Sequence, residues 1–147
     1  MPGPATFELQ LIDNGTVVGT QIIPVTLQPN TPGIASLSST ATTITIGSAP
    51  PYAATLRNPG AALSNVVLQG WMNQGTVRRA AGGTMVFITG QAVGALPSGV
   101  FNVAGSISVS NTNGGSGTLV AGPATFELQM TMNGTLLESK TIPVTLA

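Results

Sequence analysis

One 25-residue segment occurs twice in this chain, and it limits the available folds more than any other feature. Gly3–Leu27 reads GPATFELQLIDNGTVVGTQIIPVTL and Gly122–Leu146 reads GPATFELQMTMNGTLLESKTIPVTL. The two align without a gap at an offset of 119 residues, and 16 of the 25 positions are identical. In the first copy Phe7, Leu9 and Leu11 alternate with Thr6, Glu8 and Gln10; in the second Phe126, Leu128, Met130 and Met132 alternate with Thr125, Glu127, Gln129 and Thr131. A period of two places each apolar set on one face of a strand. Asn14-Gly15 and Asn133-Gly134 then reverse the chain, because two adjacent residues that tolerate positive φ make the tight turn whose twist suits a hairpin. The return strands carry Val17, Ile23, Val25 and Leu27, or Ile142, Val144 and Leu146. Pro24 and Pro143 interrupt them; proline cannot donate to a ladder, so these strands belong at an edge or turn that position away from a neighbour. Each copy therefore predicts a β-hairpin with one apolar face.

The rest of the chain reads as strands too. Nineteen glycines and eleven prolines leave no stretch of a dozen residues with an unbroken 3.6-residue apolar period. Between these breakers lie short alternating runs of Val, Ile, Thr and Phe, the composition of half-buried strands. Strands are expected near Thr42–Gly47, Tyr52–Asn58, Ser64–Met72, Thr76–Ala80, Thr84–Ala92, Val100–Val109, Leu119–Met132 and Thr135–Leu146. The turns between them fall at Asn58-Pro59-Gly60, Asn73-Gln74-Gly75, Gly82-Gly83, Pro97-Ser98-Gly99 and the loop Asn111–Gly117. The expected fold is an all-β antiparallel sandwich of about eight strands over residues 37–147, with Trp71 filling space between its sheets. An extra N-terminal hairpin (residues 1–27) precedes it, joined by a linker of residues 28–36 that holds Pro29, Pro32 and Gly33 and lacks alternation.

Composition narrows the function. Only four basic and four acidic side chains are present, 5% of the chain, with zero net charge. Soluble domains ordinarily carry about 25% charged residues, so a neutral Thr/Ser/Asn/Gln/Gly surface suits coverage by other copies of the molecule. No basic patch exists to neutralise phosphates, which argues against nucleic acid; Arg78-Arg79 is isolated, and neighbours on a strand point to opposite faces. Histidine and cysteine are absent. That removes the commonest general base, the soft metal ligands and the Ser-His and Cys-His nucleophile pairs, so neither catalysis nor a cofactor is expected. Glu8 and Glu127 occupy equivalent places, and a paired-carboxylate site would need the two copies to meet. The loop Asn111–Gly117 has no carboxylate for calcium. Gly82-Gly83 and Gly114-Gly115 have no following helix to cradle phosphate. The longest apolar run, Met85–Ile88, is far short of the roughly 20 residues of a membrane helix, and no signal peptide follows Met1. Asn14-Gly15-Thr16 and Asn133-Gly134-Thr135 fit the N-glycosylation pattern, although Asn-Gly is better explained by the turn.

A folded domain offers one place for a given hairpin. Three arrangements follow for the spare copy: it ends a preceding unit of a tandem array with a 119-residue period, it leaves its own body to complete a neighbouring subunit by strand addition, or both copies pack within one sandwich. A lone two-stranded hairpin is not stable in water, so the first copy needs an apolar face to dock on. The candidate assembly residues are Phe7, Leu9, Leu11, Val17, Ile23, Val25 and Leu27, with Phe126, Leu128, Met130, Met132, Ile142, Val144 and Leu146 as their equivalents.

Tyr52–Gly60 (YAATLRNPG), Ser64–Gly75 (SNVVLQGWMNQG) and Gly82–Gly99 (GGTMVFITGQAVGALPSG) together resemble the immunoglobulin-like repeats of bacterial and archaeal surface proteins of the CARDB type. The terminal hairpin departs from that pattern. The resemblance implies an immunoglobulin-like sandwich in an extracellular, tandemly repeated, non-enzymatic module, and it carries over no binding residues. The expected function is a structural subunit or repeat unit of an extracellular fibre, stalk or surface layer, linked head to tail through the duplicated hairpin, with copies of itself as partners. The alternative is a binding module of a surface adhesin that recognises glycan or protein through loops such as Asn111–Gly117.

Overall fold

The structure, a computed structural model, describes residues 2–27, 29–85 and 94–147. The chain divides into two compact units, residues 1–30 and 31–147. All regular structure among the described residues is β.

The first unit is one hairpin, β1 (Gly3–Asp13) and β2 (Thr16–Leu27), which form a two-stranded sheet of their own. Asn14 and Gly15 turn it with φ of 48° and 81°, the paired left-handed values that the Asn-Gly dipeptide supplies. A register shift after Leu11 adds one residue to the ladder.

The second unit is the sandwich. Its strands are β3 (Gly33–Ser39), β4 (Thr43–Ile44), β5 (Pro51–Asn58), β6 (Val66–Gln74), β7 (Val77–Met85), β8 (Gly99–Ser106), β9 (Gly115–Ser116), β10 (Gly122–Met132) and β11 (Thr135–Leu146). One sheet has the order β3-β5-β8, the other β4-β11-β10-β6-β7-β9. The immunoglobulin-like, all-β expectation holds. Ile34 and Leu56 from the first sheet meet Leu68, Met72, Phe126, Leu128 and Met130 from the second, all without solvent exposure. Across the interface the rings of Tyr52 and Phe126 lie 5.5 Å apart.

Three expectations are corrected, and a fourth lies outside the described residues. The linker is shorter than residues 28–36, because β3 begins at Gly33: its ladder to β5 outweighs the missing alternation. Gly82-Gly83 is not a turn but part of β7, where Gly82 (φ 118°) lies in a register shift against β6 and leaves the Ala81 carbonyl to accept from Ser108. The strand expected at Thr84–Ala92 lies outside the described residues beyond Met85, which ends β7. Trp71 is not between the sheets. Buried Val66, Leu68 and Met72 alternate with it along β6, which puts the indole on the outer face.

Candidate functional site: one hairpin in two settings

The second copy is fully seated. β10 pairs with β6 from Thr125↔Asn73 to Met132↔Val66, and the end of β11 pairs in parallel with β4 at Thr145↔Thr43 and Leu146↔Ile44. Pro143 precedes that parallel pairing, so its missing N–H interrupts no ladder bond to β4. On the inner face Phe126, Leu128 and Met130 are wholly buried, Val144 and Leu146 nearly so, and Met132 and Ile142 pack against the same core.

The outer face carries a polar lock. Glu127 accepts hydrogen bonds from Arg78 (2.6 Å), Gln129 (2.8 Å) and Asn73 (3.1 Å). The Trp71 indole N–H donates to Gln129 at 3.2 Å, and the Arg78 guanidinium carbon stands 4.5 Å from the centroid of the Trp71 ring. Burial pushes the Glu127 carboxyl up, but the hydrogen bonds from Arg78, Gln129 and Asn73 and the Arg78 charge outweigh it and hold the group below its ordinary value.

A third contact ties the hairpin to the opposite sheet. Glu138 on β11 accepts from Arg57 Nη2 on β5 and from the backbone N–H of Ile34 on β3, both at 2.8 Å. The Arg57 side chain is only 10% exposed and that of Glu138 27%. Gly33 makes this approach possible: a Cβ there would come within 1.8 Å of the Glu138 carboxylate oxygen.

The first copy has the same strands, the same register and the same shifted position. Phe7, Leu9 and Leu11 are 54%, 61% and 67% exposed, where Phe126, Leu128 and Met130 are at zero. Ile23 and Leu27 are also about half exposed, and Val25 is intermediate. Its polar face is preserved, with Gln10 hydrogen-bonded to Glu8 as Gln129 is to Glu127. Val17 does not belong with the others. Its equivalent, Leu136, is 53% exposed even in the seated copy, because it lies at the hairpin tip beside the turn.

Sequence reasoning missed Arg57, Glu138, Asn73 and the role of Trp71. Two of the four basic residues hold the seated hairpin; Arg79 instead donates to the Asn113 and Gly117 carbonyls. The loop expected as a free binding surface is pinned likewise. Asn113 donates to the Ala80 and Ser108 carbonyls, and Asn111 exchanges two hydrogen bonds with Leu119. Among the described residues no group of three metal-binding side chains converges.

No family model and no curated protein sequence matches this chain. Solved structures do. A CARDB domain from Pyrococcus furiosus, solved with di-metal ions, is similar over 82% of this chain and 93% of that one, at 11% identity and a TM-score of 0.49. The alkylpurine DNA glycosylase AlkC of Pseudomonas fluorescens, bound to DNA with an abasic site analog, is similar at 15% identity and a TM-score of 0.50, over 82% of this chain but 31% of that one. A beta-glucosidase from Listeria innocua is similar over 78% of this chain and 16% of its own, at 12% identity and a TM-score of 0.47. At these identities the likeness is one of fold alone.

Proposed function

We propose that this chain is a non-catalytic structural unit of an extracellular fibre, stalk or surface layer, in which ribbon β1–β2 completes another sandwich as β10–β11 completes this one. One observation carries the reading: a single sequence pattern in a single register is buried in one setting and exposed in the other. Seating Phe7, Leu9, Leu11, Ile23 and Leu27 would remove about half of each side chain from water, and a smaller part of Val25, at roughly 1.5–3 kcal/mol for a whole one. The hairpin supplies no core of its own to compete with that gain.

The acceptor is a sandwich without a hairpin in its slot. This favours a tandem array, whose preceding body lies 119 residues upstream in register, over donation between complete chains. In the latter the incoming ribbon has to displace a near copy of itself, with little net change in buried area. The neutral, hydroxyl- and amide-rich surface and the resemblance of residues 52–99 to surface-protein repeats support the extracellular setting.

Truncation after Ala121 tests the reading, since it vacates the slot, with Gly19→Glu supplying the carboxylate that Arg57 otherwise loses. The short linker disfavours refilling the slot of its own chain. Six residue steps from Leu27 to Gly33 reach at most about 22 Å. In the seated copy, Leu146 lies eight strand residues, about 26 Å, from Glu138, which stands against Gly33. The truncated chain should form head-to-tail oligomers that lengthen with concentration in light scattering and negative-stain microscopy, while residues 31–147 stay monomeric. A truncated chain that remains monomeric at all concentrations rejects the proposal.

A further inference from the structure

The two ribbons differ at a place where the seat is least forgiving. Gly19 occupies the first-copy position of Glu138. A ribbon with glycine there would leave Arg57 without its carboxylate in a side chain only 10% exposed, and the Ile34 N–H without its acceptor. Removing one partner of a buried ion pair is costly, because the remaining charge stays out of water. The outer lock is unchanged between the copies: Glu8 and Gln10 stand where Glu127 and Gln129 meet Trp71, Asn73 and Arg78.

Resting on the proposed function, we infer that ribbon β1–β2 is addressed to a sandwich that keeps counterparts of Trp71, Asn73 and Arg78 but has no buried arginine at the Arg57 position, so that the Glu138/Gly19 difference keeps the two ribbons from exchanging slots. Arg57 accepts its own ribbon by attraction and refuses the other by an unpaired charge, the repulsive element that specificity requires. A second difference points the same way. Asp13 replaces Met132, which packs against the core, so the intended acceptor is more polar at that end of its slot.

The test uses the full chain, with urea unfolding followed by Trp71 fluorescence. Glu138→Gly should lower the folding equilibrium constant on the order of 100-fold, toward the low end for a buried pair because Glu138 is partly exposed. Adding Arg57→Met to Glu138→Gly should recover most of that loss. A chain whose residues 122–146 are replaced by the sequence of residues 3–27 should be weakened at least as much, and restoring glutamate at position 138 should recover about the same 100-fold. Two outcomes overturn the inference: an exchanged chain as stable as the original, or a loss that neither the glutamate nor Arg57→Met reduces. A different result sinks the underlying reading instead, namely an exchanged chain that forms no sandwich even with glutamate restored, since the ribbon then does not fit this type of slot.

Discussion

Phe126 and Phe7 are the same residue in the same eight-residue block, and replacing each by alanine should give opposite results. The Phe126 ring has no exposure, stands 5.5 Å from Tyr52 across the sheets, and fills the space over Gly70, where a Cβ would come 2.8 Å from its edge. Both sheets line this site and β-ladders hold them on either side, so the structure has little scope to collapse into the void. Phe126→Ala should therefore cost about 3–5 kcal/mol. Phe7 is 54% exposed, so truncating it leaves no comparable cavity, and Phe7→Ala should change the stability of the sandwich by less than about 0.5 kcal/mol. Trp71, the sole tryptophan, lies on β6 hydrogen-bonded to Gln129 of β10, and its fluorescence reports on the seat itself. With a urea dependence of about 2 kcal/mol per molar, Phe126→Ala should move the midpoint down by about 2 M and Phe7→Ala by no more than about 0.3 M. Equal shifts from the two variants would mean that both ribbons are seated alike, and the reasoning would fail.

Two further outcomes follow from the polar contacts. Because Glu127 in the folded chain titrates below its ordinary 4.5, its contribution to stability is complete above that value and is lost as pH falls through the folded pKa. Midpoints measured across the acid range should fall below about pH 4.5, and Glu127→Gln should flatten that limb. Gly33→Ala should cost about 1–3 kcal/mol by forcing the Glu138 carboxylate off Arg57 and Ile34, whereas in a Glu138→Gly background the same change should cost less, because only the end of the Arg57 side chain, 2.9 Å from the added Cβ, then has to shift; equal costs in both backgrounds would show that the approach of Glu138 is not what demands glycine.

The hairpins and the sandwich class were legible because their signals are local. Period-two alternation, Asn-Gly turns and dense glycine and proline specify strands without knowledge of what they face. Signals that depend on partners far away in the chain were not. β3 lacks alternation since it is held by its ladder to β5, Gly82-Gly83 resembles a turn but serves a register shift, and Trp71 reads as a core residue until β6 shows which face it takes. Arg57 and Glu138 lie 81 residues apart, and nothing around either one announces the pair. The one available clue was the comparison of the two copies, where Glu138, in line with Ile142, Val144 and Leu146 on β11, stands against Gly19.

Identity between the copies is confined to the eight residues from Gly122 to Gln129, the turn residues Asn133–Thr135, and the five residues Ile142–Leu146. The first block pairs with β6 as far as Gln69 and carries the Glu127 lock, and the last ends on β4. The divergent residues, 130–132 and 136–141, form the tip half, where Met132 meets the core edge and Glu138 reaches Arg57. A ribbon pressed only by the needs of a stable hairpin would drift at exposed positions of either half alike. Divergence gathered in one half, at places that include buried contacts, is what two acceptors with a common base and different tips would select. Grafting the first-copy tip, residues 11–13 and 17–22, into positions 130–132 and 136–141 gives the same sequence as the whole exchange, so the tip is divided: residues 17–22 alone placed at 136–141, which removes Glu138, should lower the urea midpoint by about 1.3 M, the equivalent of a 100-fold loss at about 2 kcal/mol per molar. Grafting the base half changes no side chain at all, so any loss must come from the tip; a tip graft that leaves the midpoint of the parent chain unaltered would mean that these differences carry no selectivity.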